Sequence, residues 1–162
     1  MMRIGFAKDI HRLVEHRPLI LGGVTIPYEK GLLGHSDADV VLHSVAESLL
    51  GALALGDLGK WFPDSDNQYK DMDSKIIVQT VMEEVKKRNY SMQNIDISIV
   101  AEKPKLAPYI FDMRTCIAKL LQVEIEQVSV KAGTNEQVDD LGKGLAIEST
   151  AICLLVKTEC NK

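Results

Sequence analysis

The chain lacks the features that mark secreted, membrane-spanning and disulfide-rich proteins. Its three cysteines, Cys116, Cys153 and Cys160, form no CxxC pair and cannot all pair with one another. This usage fits a reducing compartment better than a disulfide scaffold. No apolar stretch reaches the roughly 18 residues of a membrane span, and the N-terminus has no apolar signal region. We therefore expect a cytoplasmic protein with no membrane partner.

A basic run is also missing, and the formal net charge is -4 over 162 residues. We therefore expect no nucleic-acid partner, and an anionic substrate would have to be bound by local features. Hydrophobic residues make up 46% and charged residues 26% of the chain, as is typical of a globular protein. The length favours one domain, residues 1–162.

Periodic patterns predict both strands and helices. The predicted strands are residues 3–8, 95–99, 128–131 and 147–156, with a hairpin around Gly22-Gly23. The predicted helices begin after Ser36, after Ser74 and near Ile110. This order indicates an α+β domain, a mixed sheet with helices packed on one face. Because the other face stays open, we expect a closed cyclic oligomer to bury it.

The segment from Gly31 to Ser36 leads into the first predicted helix. Ser36 is the expected N-cap, and Asp39 three residues later imitates a capping box. A helix N-terminus is a ready anion site, and His35 and Ser36 could add hydrogen-bond donors to a phosphate. The alternative is that Ser36 only caps the helix.

The polar residues Asp9, His11 and His43 form the most informative pattern in the chain. Asp9 and His11 are two residues apart, so an extended strand would point both side chains to one face. A third ligand from a helix, His43, could then complete a metal site. Two histidines and one carboxylate can hold zinc and leave its fourth position open. Because D-x-H is a weak pattern by itself, the alternative is a pair of surface residues and a structural histidine.

Three further loops carry polar groups. Residues 56–66 include three carboxylates that could hold a polyol, or form a solvated acidic turn. Residues 101–108 contain two prolines, which could stiffen a backbone that reads a nucleobase edge, or form a plain strand-to-helix turn. Residues 131–136 offer a hydroxyl, an amide and a carboxylate, which suit a divalent ion bridging phosphates, or a polar turn.

Several stretches, taken in order, carry a family resemblance. They are Asp9-Ile10-His11, residues 22–32, residues 35–39 with His43, residues 50–59, residues 62–66, Pro104-Lys105, and Lys131-Ala132 with Thr134 and Glu136. Any one of them is weak, but the ordered set is specific. The chain resembles the 2-C-methyl-D-erythritol 2,4-cyclodiphosphate synthases of the non-mevalonate isoprenoid pathway, over about residues 3–157.

The resemblance implies two metal sites and two catalytic residues. Asp9, His11 and His43 would be the zinc ligands, and Glu136 would hold a magnesium or manganese ion that bridges the α- and β-phosphates. His35 and Thr134 would be catalytic, through contacts to the phosphates in the transition state.

It also implies a set of substrate-binding residues: a phosphate group, a methylerythritol pocket, a cytidine clamp and a diphosphate group. These residues are Asp9, Ile10, His11, His35, Ser36, Asp57, Leu58, Gly59, Phe62, Pro63, Asp64, Ser65, Asp66, Ala101, Glu102, Lys103, Pro104, Lys105, Leu106, Ala107, Gly133, Thr134, Asn135, Glu136 and Lys143.

The implied reaction is an intramolecular phosphoryl transfer. An oxygen of the 2-phosphate of 4-diphosphocytidyl-2-C-methyl-D-erythritol 2-phosphate attacks the β-phosphorus of the same molecule, and CMP leaves. The family also implies a homotrimer whose active sites are shared, with the cytidine clamp from one subunit and the zinc from the next. Two other functions stay open: a metal- and nucleotide-binding protein with little turnover, and a zinc-dependent phosphodiesterase that uses water.

Some positions depart from the family pattern. Ala7 and Lys8 replace a glycine and an aromatic residue before Asp-x-His, and Asp140 stands where an apolar or aromatic residue is common. Lys143 replaces an arginine that in many bacterial members lines a central trimer cavity, and it lacks the bidentate fork of arginine. Leu145 stands where those members have glutamate. None of these positions is a proposed metal ligand.

Overall fold

The structure is a computed structural model that describes residues 1–63 and 65–158. The strands are β1 (Met2–Glu15), β2 (Leu19–Leu21), β3 (Val24–Ile26), β4 (Lys30–Leu32), β5 (Tyr90–Val100), β6 (Val128–Gly133) and β7 (Ala146–Lys157). The helices are α1 (Val40–Ala52), α2 (Leu58–Trp61), α3 (Ser74–Lys87), α4 (Ile110–Leu121) and α5 (Asp139–Gly142).

Five strands form one mixed sheet in the order β4-β1-β7-β5-β6. β5 and β6 are parallel, and the other neighbours are antiparallel. Helix α1 packs on β1 and β7, α3 packs on α1 and β5, and α4 packs on β6. The predicted α+β architecture, a mixed sheet with helices on one face, is therefore confirmed.

The two faces of β1 differ sharply. Gly5 and Ala7 are buried towards α1, and a Cβ atom at Gly5 would lie only 1.8 Å from the backbone oxygen of Ser48. The alternate side chains Ile4 and Phe6 are 72% and 61% exposed. With Met2 and Ile152 they make an apolar patch on the open face of the sheet, which we call the open-face patch.

β1 is longer than the predicted strand at residues 3–8. Its pairing with β7 continues to Arg12 opposite Ala146, and from Leu13 onward it pairs with β4. The sequence pattern did not predict this extension because Ile10 is the only apolar residue between Lys8 and Arg12, so no apolar alternation is visible there. The consequence for the site is that Asp9 and His11 lie inside a paired strand rather than in a loop.

Helix α1 begins at Val40, and its N-cap is Asp39. The prediction of Ser36 as N-cap is wrong. Ala38 has a φ of 59°, in the left-handed region, so the helix cannot extend back through it. The Ser36 hydroxyl instead accepts a hydrogen bond from the Ala38 N–H at 3.1 Å. The carboxylate of Asp39 occupies the first free N–H groups of α1, so this helix N-terminus is not available as an anion site.

The fully buried carboxylate of Asp39 also fixes the β2–β3 hairpin. One oxygen accepts from the N–H groups of Val41, Leu42 and Gly22, and the other accepts from Gly23 at 2.6 Å. Gly22 and Gly23 have φ values of 58° and 76°, which only glycine adopts without strain at both central positions of a tight hairpin turn. One side chain therefore holds the start of the helix and the hairpin together.

Among the described residues, no helix is both long enough and apolar enough to cross a membrane.

Replacing Asp39 by alanine should reduce the free energy of unfolding by about 3 kcal/mol or more, because four backbone donors lose their acceptor in the core. The matched control is Asp73→Ala, since Asp73 caps α3 through one hydrogen bond, to Lys75, at the surface. That variant should lose about 1 kcal/mol. Denaturation at one protein concentration measures both losses, and equal losses would contradict the role given to Asp39.

Candidate functional site

Asp9, His11 and His43 meet where β1 faces the first turns of α1. The Asp9 Oδ2 atom lies 2.9 Å from His11 Nε2 and 3.2 Å from His43 Nδ1, and the two nitrogens are 3.4 Å apart. Ligands around a tetrahedral zinc ion are about 3.3 Å from one another, given bonds of about 2.0–2.1 Å. The three side chains are 13–24% exposed. Their ligand atoms could therefore hold one divalent metal ion.

Hydrogen bonds outside the cluster orient both rings. His11 Nδ1 lies 2.7 Å from the carbonyl oxygen of Leu33, which can only accept, so this nitrogen carries a proton and Nε2 is the nitrogen that faces the cluster. His43 turns Nδ1 to the cluster, and its Nε2 lies 3.0 Å from the Ser74 hydroxyl and 3.1 Å from the Ser36 hydroxyl. Each ring thus has one nitrogen for the metal and the other for the protein.

The electrostatics of the cluster favour a bound cation. Burial by itself would raise the pKa of Asp9, but hydrogen bonds and charge interactions with His11 and His43 outweigh it and hold that pKa well below its usual range. Burial pulls the pKa of His11 down, but the Asp9 carboxylate outweighs it and raises that pKa. An ionised carboxylate between two imidazoles is a suitable ligand set for a divalent ion.

A cavity of about 290 Å³ opens from the metal cluster. Eight of the residues that line it were predicted as site residues from the sequence: Asp9, His11, His35, Ser36, His43, Leu58, Gly59 and Phe62. Five others were not predicted as site residues: Gly34, Glu47, Tyr69, Met72 and Ile77. Glu47 lies one helical turn after His43, and this i, i+4 spacing could have identified it. Burial raises the pKa of Glu47, and the nearby Asp9 and Asp57 carboxylates raise it further.

The predicted polyol loop contributes only part of its residues to this cavity. Asp57 caps α2 by accepting from the Lys60 N–H at 2.9 Å, and Asp66 accepts from the Gln68 N–H at 3.0 Å. Four of the predicted residues that the structure describes in this loop do not line the cavity: Asp57, Pro63, Ser65 and Asp66. Asp64 lies outside the described residues.

A second cavity, of about 760 Å³, lies at residues 101–107, the segment predicted to bind cytidine. All seven residues from Ala101 to Ala107 line it, together with Gly133 and Thr134. Tyr28, Ile110 and Ala132 also line it, although they were not among the predicted site residues. Within residues 1–63 and 65–158, the two cavities share no lining residue.

Besides the four residues of the polyol loop named above, four further predicted residues line neither cavity in the part of the chain that the structure describes: Ile10, Asn135, Glu136 and Lys143. Glu136 lies beside the second cavity, where its Oε1 accepts from the Thr134 hydroxyl at 3.2 Å. Lys143 lies 3.4 Å from Asp140 at the surface. Ile10 is 51% exposed on the open face.

Lys8 points away from the metal cluster, although it precedes Asp9 in the chain. Its Nζ atom lies 2.7 Å from the Glu148 carboxylate, on the open face of the sheet. This departure from the family pattern therefore adds no charge to the metal site.

Comparison with known proteins identifies the family. The YgbB family matches residues 2–156. A 2-C-methyl-D-erythritol 2,4-cyclodiphosphate synthase from Clostridium perfringens is 57% identical over 156 residues, which cover 96% of this chain and 100% of the relative. The chain belongs to this family. A family member from Geobacillus kaustophilus is 54% identical over 158 residues, with 98% of this chain and 100% of the relative covered.

Solved structures of the family agree with the fold. The IspF–CDP complex from Plasmodium falciparum superimposes with a TM-score of 0.86 at 34% identity, covering 98% of this chain and 97% of that one. The bifunctional IspDF from Campylobacter jejuni gives a TM-score of 0.94 at 33% identity, covering 98% of this chain and 43% of the longer bifunctional chain.

His43→Ala should abolish zinc binding while the protein stays folded, because two remaining ligands cannot hold the ion in a site of this kind. The control is His16→Ala, since the His16 side chain is 94% exposed and is not part of the cluster. Zinc per chain, measured by elemental analysis after dialysis, should be near one for the control and near zero for His43→Ala. Full zinc content in His43→Ala would contradict the assignment.

Proposed function

We propose that this protein converts 4-diphosphocytidyl-2-C-methyl-D-erythritol 2-phosphate to 2-C-methyl-D-erythritol 2,4-cyclodiphosphate and CMP. The observation that carries the proposal is the Asp9–His11–His43 cluster at the base of an open cavity, in a chain that belongs to the synthase family. The reaction forms a bond between a 2-phosphate oxygen and the β-phosphorus. It breaks the bond from the β-phosphorus to the oxygen that CMP carries away.

The metal-binding residues have separate roles in this proposal. Asp9, His11 and His43 hold zinc, and Glu136 holds magnesium or manganese with the diphosphate. Divalent ions bound there would neutralise charge on the phosphates and polarise the β-phosphorus. Each histidine has one nitrogen bonded to the protein and the other facing the cluster, and Asp9 is ionised, which supports the zinc assignment.

The loop that carries His35 and Ser36 is well placed to contact the phosphates. Arg17 donates to the carbonyl oxygens of Gly34 and Ser36 at 3.2 and 2.9 Å, which fixes this loop beside the metal cluster. The Ser36 hydroxyl faces His43, so in our proposal the backbone of the loop and the His35 ring make the main contacts.

The methylerythritol part of the substrate occupies the rest of the first cavity. Leu58, Gly59 and Phe62 form one wall, and Phe62 contacts Tyr69 edge-to-face with ring centres 5.4 Å apart. Asp57, Asp64 and Asp66 are proposed to bind its hydroxyl groups from the same loop.

Cytidine binds in the second cavity, between the segment 101–107 and Thr134. The complex of a family member with CDP supports a cytidine nucleotide as the ligand. Among the described residues the two cavities share no lining residue, and the family resemblance implies active sites shared between subunits. We therefore propose a homotrimer in which the zinc cavity of one subunit adjoins the cytidine cavity of the next, with the open-face patch buried between subunits.

Catalysis in this scheme relies on orientation and charge, and needs no protein nucleophile. Holding the 2-phosphate against the β-phosphorus can lower the activation barrier by roughly 7–11 kcal/mol when the alignment is good. Thr134 and His35 stabilise the charge that spreads over the transferring phosphoryl group.

The half-buried Cys116 and buried Cys153 are both free thiols, which supports a reducing, cytoplasmic location.

The direct test is turnover of the cytidine substrate with zinc and magnesium, followed by phosphorus NMR. We expect CMP and the cyclic diphosphate to form in equal amounts. CMP with an open-chain bisphosphate would show hydrolysis by water and overturn the cyclisation. Binding of CDP without any CMP formation would indicate a nucleotide-binding protein and would overturn the enzymatic assignment.

Phe6→Glu should dissociate the trimer, because it puts a charge into an apolar surface that the assembly buries. The matched control is Phe111→Glu on α4, since Phe111 is 66% exposed and Phe6 is 61% exposed, but only Phe6 lies in the open-face patch. Light scattering should give one chain mass for Phe6→Glu and three for the control. An unchanged mass in Phe6→Glu would contradict burial of this face.

A further inference from the structure

We propose that Ser74 and Asp37 are positioning residues that hold His43 in the tautomer that binds the metal. The inference rests on the proposed metal site and concerns residues outside the ligand set. It starts from Ser74, which is fully buried and lies at the first residue of α3. Its hydroxyl lies 3.0 Å from His43 Nε2, and it also contacts the Asp37 carboxylate.

The direction of these hydrogen bonds follows from the acceptor at the end of the chain. The Asp37 carboxylate can only accept, so the Ser74 hydroxyl must donate its proton to Asp37. The Ser74 oxygen then offers lone pairs alone to His43, and Nε2 must be the nitrogen that donates. Nδ1 of His43 is thereby left for the cluster, and its lone pair would bind a metal ion placed beside Asp9 and His11.

The carboxylate at the end of this chain is itself held firmly. Asp37 accepts from the backbone N–H of Ser74 at 3.1 Å and from the backbone N–H of Asp39 at 3.2 Å. It therefore joins the start of α3 to the segment that leads into α1. An acceptor fixed from both sides sets the angle of the Ser74 hydroxyl, and through it the angle of the His43 ring.

A second hydroxyl lies close to the same nitrogen but cannot replace Ser74 fully. Ser36 Oγ is 3.1 Å from His43 Nε2 and already accepts from the Ala38 N–H. The structure shows no carboxylate bonded to the Ser36 hydroxyl among the described residues, so nothing fixes the direction of its proton. Loss of Ser74 should therefore weaken the orientation of the ring without removing every acceptor.

The test compares zinc affinity among four proteins by competition with a chelator: the unmodified protein, Ser74→Ala, Ser74→Thr and Ser48→Ala. Ser48 is also fully buried, but its hydroxyl donates to the Val45 carbonyl oxygen within α1 and does not contact His43. Outer hydrogen-bond partners of metal ligands are worth about 10- to 100-fold in affinity. We expect a loss of that size in Ser74→Ala, near-normal affinity in Ser74→Thr, and no change in Ser48→Ala.

The outcomes separate this inference from the metal site itself. If the unmodified protein binds no zinc, the proposed metal site fails. If it binds zinc and Ser74→Ala binds equally well, the metal site stands and the positioning role is overturned. If Ser74→Ala does not fold, nitrogen-15 NMR of the unmodified protein loaded with zinc decides the matter. The Nε2–H proton of His43 should then resonate downfield as a hydrogen-bonded proton, and a shift typical of a solvent-exposed imidazole N–H would overturn the inference.

Discussion

The buried carboxylate of Asp39 is the interaction on which the arrangement of the site depends. It accepts backbone hydrogen bonds from the start of α1 and from the Gly22-Gly23 turn. It thereby fixes the residue at which α1 begins and ties the hairpin to the helix that carries His43. A helix that began at Ser36 would have run through residues 36–39, whose present conformation brings Ser36 to His43 and Asp37 to Ser74. The metal ligands are therefore positioned by a residue that is not one of them.

The division of the polar residues between two cavities has a functional meaning within our proposal. A single chain offers a metal cluster with a small cavity, and a larger cavity lined by the segment 101–107. Neither has all the groups that the proposed reaction needs. In the proposed trimer the chemistry would take place at the contact between subunits, and the open-face patch would contribute to catalysis by holding the subunits together.

Much of this could be predicted from the sequence, because the relevant signals are local. If residues 9–11 form a strand, their i, i+2 spacing puts the side chains of Asp9 and His11 on one face, as the structure has them. The residues from Ala101 to Ala107 were predicted as one segment, and all of them line one cavity. The start of α1 could not be predicted in this way, because its cap is chosen by contacts with a hairpin that is distant in sequence. Tyr28 was missed for the same reason, since only the folded chain brings it to the second cavity.

The wall of the first cavity formed by residues 66–73 is attached through its backbone. The Asp71 N–H donates to the carbonyl oxygen of His35 at 2.9 Å, and the Asp37 N–H donates to the carbonyl oxygen of Met72 at 3.1 Å. Backbone bonds of this kind do not depend on the side chains that the residues carry. The exposed residues of this wall can therefore diverge during evolution while its position beside the metal ligands is preserved, so the pocket can acquire new substrate preferences without loss of its metal chemistry.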